Sequence, residues 1–283
     1  MPILVDYNQV AISNLMVSIN TYNKNAEINE DLIRHMVLNS LRAYKVRFGE
    51  KYGDLVICCD GRKYWRKSLF PYYKAGRKRD RVQSSLNWNE IFETLNKIRD
   101  ELKDYFPYKV VDVDNAEADD IIGTIVFNKS PFELTLILSG DKDFMQLQKI
   151  LNVDQYAPVQ KKFLKTRKAQ DFLKEQILRG DRSDGIPNFL SADDVLLSGK
   201  RQTPISTKKL DGWMVSNPED FCDDAMLRGY RRNEQLIDLE CIPDDVSKEI
   251  LDQYSKEAAD RSKLFNYFVK NNLKLLMENI QEF

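Results

Sequence analysis

The sequence has few cysteines, a single histidine and no long apolar run. Four Cys and one His occur among 283 residues. The cysteines have neither CxxC spacing nor histidine partners, which argues against a zinc site and against a disulfide framework. No stretch approaches the ~18 consecutive apolar residues of a membrane span, and the N-terminus lacks a charged-then-apolar export signal. We therefore expect a cytoplasmic protein that makes no membrane contact.

Net charge is also nearly absent, because 43 Lys and Arg offset 44 Asp and Glu. A formal charge of -1 neither favours nor excludes a nucleic-acid partner, so the distribution of charge along the chain is what matters. Hydrophobic residues make up 42% of the chain, which is long enough for one large domain or for a large and a small one.

The first half alternates short apolar runs with helical patterns, which is typical of a mostly parallel central sheet flanked by helices, an α/β fold. Strands are predicted at residues 3–5, 55–59, 109–113 and 134–138. Asn29 predicts the start of a helix between the first two strands. After Gly180 the pattern becomes mainly helical, so we predict an α/β domain at 1–180 and a smaller helical region at 181–283. Within the latter, residues 188–207 are rich in turn formers and predict a loop.

Acidic residues follow the predicted strands or open the helix after the third one. Residues just beyond the carboxyl ends of parallel strands converge on one crevice, so these acids are expected to meet. They are Asp6, Asp60, Glu117, Asp119, Asp120, Asp141 and Asp143. Clustered carboxylates raise one another's pKa unless cations are present, and Mg²⁺ is a cation that prefers oxygen ligands. One ion would activate a water that attacks phosphorus and a second, ~4 Å away, would stabilise the leaving oxygen. The sequence therefore predicts phosphodiester hydrolysis.

The segment after Asp60 is basic and aromatic. Residues 62–81 contain nine Lys or Arg, five aromatic residues and a single acid. This mixture is expected where phosphates are neutralised and unpaired bases stack, although a solvated helix face with aromatics on the core is the alternative. Lys74 and Arg77 are the candidates for contacting the scissile phosphate and stabilising its transition-state charge. The other candidate nucleic-acid contacts are Arg66, Tyr73, Lys78, Arg79 and Arg81.

These motifs, in this order, resemble the flap endonuclease or 5′-nuclease superfamily, and most closely its T-even bacteriophage ribonuclease H branch. The matching pieces are Val5-Asp6-Tyr7-Asn8-Gln9, Cys59-Asp60, Trp65-Arg66, Tyr72-Tyr73-Lys74-Ala75-Gly76-Arg77, Glu117-Ala118-Asp119-Asp120, Ser139-Gly140-Asp141-Lys142-Asp143-Phe144 and Gly180-Asp181-Arg182-Ser183-Asp184-Gly185-Ile186-Pro187. The resemblance implies a 5′ to 3′ exonuclease and flap endonuclease. Its substrates would be RNA:DNA hybrids and flap, forked and nicked duplex DNA, as in primer removal during replication, in the cytoplasm of a host cell if the protein is phage-encoded.

The resemblance also implies a site built around two Mg²⁺ ions, for which Mn²⁺ can substitute. The first ion would be held, partly through water, by Asp6, Asp60, Glu117, Asp119, Asp141 and Asp143. Asp181 and Asp184 would help to hold the second. Residues 77–95 resemble the arch under which a single-stranded 5′ end passes, with Lys74 and Arg77 at its base. Gly180 to Pro187 resembles the start of a helix-three-turn-helix element that grips duplex, often with a monovalent cation.

One departure from the family concerns the contact with duplex. The glycine-rich hairpin expected after the aspartate pair is missing between residues 188 and 203. Hydroxyls, amides and lysines can all position phosphate, so the segment that follows is the candidate replacement. Its candidate contacts are Thr203, Ser206, Thr207, Lys208 and Lys209.

The resemblance further implies a monomer that works with a sliding clamp and a single-stranded-DNA-binding protein. The amphipathic segment 264–283 either serves such a partner or packs on its own domain. Two other functions remain as alternatives. A haloacid-dehalogenase-like phosphatase would need a DxD nucleophile after the first strand, where Asp6 is instead followed by Tyr7 and Asn8. A non-catalytic binder of branched DNA would be expected to have lost pocket carboxylates, and none is lost.

Overall fold

A mostly parallel sheet organises the chain, which the computed structural model describes over residues 1–22, 29–82, 84, 86–166 and 168–283. The strands are β1 (Pro2–Asp6), β2 (Asp54–Cys59), β3 (Lys109–Asp112), β4 (Thr135–Leu138), β5 (Val153–Ala157) and β6 (Lys162–Leu164). They lie in the order β3-β2-β1-β4-β5-β6, and β6 pairs antiparallel to β5 while the other pairs are parallel. The predicted α/β class and the existence of all four predicted strands are confirmed, and two further strands join them.

Helices cover both faces of the sheet. In the first half they are α1 (Tyr7–Tyr22), α2 (Glu30–Tyr52), α3 (Trp65–Leu69), α4 (Gly76–Val82), α5 (Trp88–Tyr105) and α6 (Ala118–Asn128). In the second half they are α7 (Ala169–Arg179), α8 (Thr207–Met214), α9 (Pro218–Phe221), α10 (Asp224–Ile237), α11 (Asp244–Tyr254), α12 (Leu264–Lys270) and α13 (Lys274–Met277). Short 3₁₀ helices span Lys142–Lys149, Leu239–Cys241, Arg261–Lys263 and Ile280–Glu282. Asn29 caps α2 as predicted, since its side chain accepts a hydrogen bond from the Leu32 amide at 2.9 Å.

Alternate residues of the strands feed two separate apolar cores. Ile3 and Val5 of β1 face the layer of α1, α2 and α5, whereas Leu4 faces the layer of α6 and α11. All three side chains are fully buried, as expected for a parallel sheet covered on both faces. Because both faces are sealed, the open access to the sheet lies at its ends.

The C-terminal helices return to the first core instead of forming a core of their own. Leu264, Phe268 and Phe283 are buried there, and both phenyl rings pack edge-on against Phe106. Segment 264–283 therefore packs on the core of the α/β domain and not on its own predicted domain, and its service to a partner remains a prediction. A third core joins α7, α8 and α10 to Phe70 and Tyr73 of the basic segment. The proposed boundary at residue 180 thus separates stretches of sequence whose side chains share cores.

The segment between α7 and α8 has no regular secondary structure, as predicted for residues 188–207. The start of this segment is anchored by α10. The buried Asn233 side chain of that helix donates hydrogen bonds to the carbonyls of Ile177 and Pro187 at 2.8 and 2.9 Å. None of the described helices is long and apolar enough to cross a membrane.

Candidate active site

A cleft opens at the carboxyl ends of the three neighbouring strands β2, β1 and β4. Asp6 is the last residue of β1 and pairs in register with Cys58 of β2, so Asp60 follows two residues further along the neighbouring strand. Asp141 follows β4 on the other side. The cleft has a volume of about 520 Å³, and Asp6, Asp60, Asp119 and Asp141 all line it. The strand-end rule therefore placed these four carboxylates correctly, and their role as metal ligands remains a prediction.

Hydrogen bonds orient Asp6 and Asp141 through a shared serine. The Ser139 hydroxyl donates to Asp6 Oδ2 at 2.8 Å and accepts from the Asp141 amide at 3.0 Å. The Asp143 amide in turn donates to Asp141 Oδ1 at 3.0 Å. The Ser-Gly turn after β4 thus ties two strand ends together. Ser139 was not among the predicted site residues, although its position directly after a strand was a usable signal.

Asp60 is held by both neighbouring elements. The Ala118 amide at the start of α6 donates to Asp60 Oδ1 at 2.9 Å, and the Asn8 side chain donates to Oδ2 at 2.8 Å. Asn8 lies in the first turn of α1, within a motif that the sequence singled out without giving it a role. These bonds fix the orientation of the carboxylate.

In the part of the chain that the structure describes, the carboxylates at the strand ends have no positive partners. Burial, reinforced by the charge of Asp60, raises the pKa of Asp6 to about 7. Burial and the charge of Asp141 raise the pKa of Asp143 to about 7 and hold the pKa of Asp119 well above its usual value. Among the described side chains, none of these five forms an ion pair with Lys or Arg. Such repulsion is the expected signature of a site that receives cations from solution.

Glu117 and Asp184 belong to a different environment, in which positive groups surround them. Lys74 Nζ pairs with Glu117 Oε1 and lies 3.5 Å from Asp184 Oδ2, while Arg77 Nη2 lies 2.6 Å from Asp184 Oδ1. The Tyr73 hydroxyl contacts both acids, at 2.8 and 3.1 Å. Burial alone would lower the pKa of Lys74, but the charges of Asp184 and Glu117 outweigh it, so the pKa is raised. Lys74 and Arg77 therefore line the cleft while forming ion pairs with Glu117 and Asp184.

Arg66 and Tyr73 correct the predicted set of nucleic-acid contacts, because the structure buries both residues to 2% exposure. Arg66 Nη1 lies 3.1 Å from Glu117 Oε2 and 2.8 Å from Asp120 Oδ1, and its Nε donates to the Leu236 carbonyl at 2.8 Å. Its guanidinium neutralises two interior acids and joins the site to the end of α10, so it cannot reach a bound strand. The alternative in which the aromatics of this segment pack on the core holds for Tyr73.

The remaining predicted contacts have exposed positions where they are described. Arg81 lines the cleft and stacks over the Phe92 ring at 4.6 Å. Lys78 and Arg79 lie in α4, but their side chains fall outside the described residues. At the start of α8, the exposed candidates are Thr203, Ser206, Thr207, Lys208 and Lys209. Ser206 caps this helix by accepting a hydrogen bond from the Lys209 amide at 3.3 Å.

Asp143 and Asp181 are tied to the second half of the chain. The Gln176 side chain in α7 donates to Asp143 Oδ1 at 2.5 Å, a contact across 33 residues that no local pattern predicts. Gly180 follows α7 with φ +70°, and a Cβ there would lie 2.4 Å from the carbonyl oxygens of Ile186 and Pro187. Only glycine fits this turn, which brings Asp181 to the cleft side of the molecule.

The arrangement fits divalent cations that are bound partly through water. Over the described ranges, no set of three or more Asp, Glu, His or Cys side chains is placed to hold a metal ion directly. The donors are nevertheless carboxylate oxygens, and Mg²⁺ usually retains several waters beside a few such ligands. An acidic cleft at the ends of parallel strands, with Lys74 and Arg77 on its wall, defines a nuclease-type α/β enzyme.

Comparison with known proteins identifies the family. Residues 6–176 match the model of the 5′-3′ exonuclease N-terminal resolvase-like domain, and residues 169–283 match that of the T4 RNase H C-terminal domain. Ribonuclease H of Enterobacteria phage T4 is 33% identical over 99% of this chain and 95% of its own. A 5′-3′ exonuclease of Streptomyces coelicolor is 30% identical over 47% of this chain and 50% of its own. The chain belongs to the 5′-3′ exonuclease family, with a C-terminal domain of the T4 RNase H type.

The fold agrees with this assignment. The bacteriophage T5 flap endonuclease, solved as a pseudo-enzyme-product complex with DNA and metal ions, superposes with a TM-score of 0.61. The match covers 90% of this chain and 99% of that one at 15% sequence identity. The prediction of a nuclease of the 5′-nuclease superfamily is confirmed, and family membership removes the haloacid-dehalogenase-like alternative.

Proposed function

We propose that the protein removes nucleotides from 5′ ends of RNA in RNA:DNA hybrids and of duplex DNA, and also cuts flaps. The observation that carries this proposal is the cleft itself, where carboxylates that have no ion pair among the described side chains share one space with Lys74 and Arg77. A cleft built only to hold cations would not need positive side chains on its wall. The carboxylates would hold cations, and Lys74 would offset the negative charge of a phosphodiester that enters the cleft. The names of the T4 and Streptomyces relatives support this substrate class.

Two Mg²⁺ ions, with Mn²⁺ as a substitute, are the proposed cofactors. The residues that would hold one ion, several through water, are Asp6, Asp60, Glu117, Asp119, Asp141 and Asp143. Asp181 and Asp184 would help to hold the other. When bound, such ions lower the pKa of the attacking water and stabilise the oxygen that leaves.

The protein's own groups position the strand and offset its charge. Arg77 is exposed and therefore contacts an incoming phosphate first. Lys74 then exchanges part of its contact with Asp184 for a contact with a phosphate oxygen. Residues 77–95 act as the arch over a single-stranded 5′ end. The exposed residues before and at the start of α8 hold duplex phosphate; they are Thr203, Ser206, Thr207, Lys208 and Lys209. The turn at 180–187 takes a monovalent cation as the first part of a helix-three-turn-helix element.

The proposed setting is DNA replication, with RNA primer removal as the task. The protein acts as a monomer in the cytoplasm, of a host cell if phage-encoded. Forked and nicked duplexes are further substrates, and a sliding clamp and a single-stranded-DNA-binding protein are the proposed protein partners.

The test is cleavage of a 5′-labelled RNA:DNA hybrid and of a 5′-flap substrate, each with Mg²⁺ and with a chelator. We expect short 5′ products that require Mg²⁺. Asp119→Asn, which keeps the shape of the side chain and removes its charge, should abolish them, whereas Asp104→Asn, at an exposed position of α5, should not. Binding without Mg²⁺-dependent products would favour the non-catalytic alternative, and cleavage by Asp119→Asn at the parental rate would refute the assignment of the site.

A further inference from the structure

A lysine stands between two of the strand-end carboxylates and reaches across to the second half of the chain. Lys142 lies between Asp141 and Asp143, and its Nζ lies 2.9 Å from Asp181 Oδ2. The Asp181 side chain is 4% exposed, whereas that of Lys142 is 52% exposed. A nearly buried carboxylate is thus neutralised by an ammonium group that stands half in solvent.

The other oxygen of Asp181 is also occupied. Asp181 Oδ1 accepts hydrogen bonds from the Ser183 amide at 2.8 Å and from the Ser183 hydroxyl at 2.6 Å. Together with the contact to Lys142, these bonds leave neither carboxylate oxygen without a donor. A cation from solution that approaches Asp181 Oδ2 therefore meets the Lys142 ammonium group, which is the one of these donors with a path to solvent.

The two lysines near the aspartate pair differ in this respect. Lys74 contacts Asp184 from inside the cleft, its side chain is only 10% exposed, and Glu117 holds its ammonium group as well. Lys142 has an ion pair with Asp181 alone among the described side chains, and its long apolar stem lets the ammonium group swing into water at little cost.

We propose that Lys142 is an internal competitor for the divalent cation that Asp181 helps to bind. Its ammonium group neutralises Asp181 in the cation-free protein and leaves when the ion enters, so Lys142 sets how tightly that ion is held. This inference rests on the proposed function, because it assumes that Asp181 serves a divalent ion. The opposing interpretation is purely structural, in which Lys142 pins the turn after β4 to the turn after α7.

The two interpretations predict opposite changes when the charge of Lys142 is removed. If Lys142 competes, Lys142→Gln binds divalent cations more tightly, because Asp181 no longer has to release an ion pair. If Lys142 only pins two turns together, the same substitution loosens Asp181 and weakens binding. Lys142→Arg keeps the charge and should keep the parental affinity.

The measurement is Mn²⁺ binding to the full-length chain without nucleic acid, at one fixed neutral pH, followed by electron paramagnetic resonance of free Mn²⁺ and by calorimetry. For Lys142→Gln we expect the Mn²⁺ ion that Asp181 helps to hold to bind roughly threefold to tenfold more tightly. The affinity for the other ion should change little. Lys168→Gln is the matched control. It removes an equal charge and breaks another Lys–Asp pair, with Asp171 at 3.1 Å. That pair lies at the N-terminal end of α7, whereas Asp181 follows the C-terminal end, so both Mn²⁺ dissociation constants should stay as in the parent.

The outcomes separate this inference from the proposed function. Unchanged or weaker Mn²⁺ binding by Lys142→Gln, in a parent that binds Mn²⁺ and cleaves with Mg²⁺, overturns the role of Lys142 alone. An equal gain in Lys168→Gln also overturns it, since the effect would then come from net charge. A parent that binds no Mn²⁺ at all overturns both proposals.

Discussion

Two groups of carboxylates meet in this molecule, and they are neutralised in different ways. The strand-end group, Asp6, Asp60, Asp119, Asp141 and Asp143, lies at the edge of the sheet without ion pairs among the described side chains. The second pair, Asp181 and Asp184, comes from the turn after α7 and is already bound by Lys142, Lys74 and Arg77. We therefore expect the first group to take a cation from solution, whereas the second already has three cationic partners as folded.

Electrostatics expresses the same contrast. Burial raises the pKa of Asp6 and of Asp143 to about 7, with neighbouring acids adding to it. Burial also acts on Asp181, but the hydrogen bonds from Ser183 and Lys142 outweigh it, and the pKa of Asp181 is lowered. Equal side chains thus acquire opposite shifts because Asp181 is paired with the Lys142 ammonium group, whereas Asp6 and Asp143 are buried beside other acids. The strand-end group is therefore the part most sensitive to the presence of metal.

The largest expected effect comes from removing one charge from each group in turn. Asp6→Asn should lower kcat/KM on a flap substrate by about 1000-fold or more, because it deletes a group that a metal site needs in the transition state. Asp181→Asn should cost less, since Asp184 remains to help hold the same ion. Cleavage rates under Mg²⁺ saturation measure both. Equal losses of kcat/KM in the two variants would show that the two groups of carboxylates contribute equally to cleavage.

The strand-end group could be predicted from the sequence because it follows from a rule of topology. Short apolar runs such as residues 3–5 predict parallel strands, and residues beyond their carboxyl ends must converge. β5 escaped prediction because its Val-Asp-Gln-Tyr-Ala sequence is half polar. Gln155 is buried there only because its side chain donates to the carbonyls of Ser139 and Asp141, which lie distant in sequence.

The surroundings of the second pair could not be predicted in the same way. Arg66 and Tyr73 lie in a basic, aromatic segment whose pattern fits a nucleic-acid surface and a packed helix equally well. What decides between them is their contact with Glu117, which is 51 and 44 residues away. A contact of that kind depends on how separate helices and strands pack, so it cannot be predicted from the composition of the segment.

An intermediate effect is expected for Lys74, which belongs to the walls of both groups. Lys74→Ala should lower kcat by about 100-fold and weaken duplex binding far less, because the ammonium group acts on charge that develops in the transition state. Single-turnover rates and equilibrium binding to the same flap substrate separate the two quantities. Lys67→Ala, an exposed position in α3, serves as the control of equal charge change. Equal losses in affinity and in kcat/KM would make Lys74 a phosphate anchor.

The smallest expected effect is a pH dependence of stability that belongs to the strand-end group. Because folding raises the pKa of Asp6 from 3.8 to about 7, its contribution is fully present below about pH 4 and is lost as pH rises through 7. In chelator, the free energy of unfolding should fall by about 1 kcal/mol per such carboxyl between roughly pH 6 and pH 8. Urea titrations at each pH measure it.

Substitutions assign this loss to one group. Asp6→Asn should reduce the decline by the share of one carboxyl, with that of Asp143 remaining, whereas Asp181→Asn should leave most of it in place, because the pKa of Asp181 is lowered. Added Mg²⁺ should restore more stability near pH 8 than near pH 6, since the ion replaces the protons that the strand-end group has lost. If stability in chelator is level across this range, the strand-end carboxylates are not held under repulsion, and the contrast between the two groups lies in geometry alone.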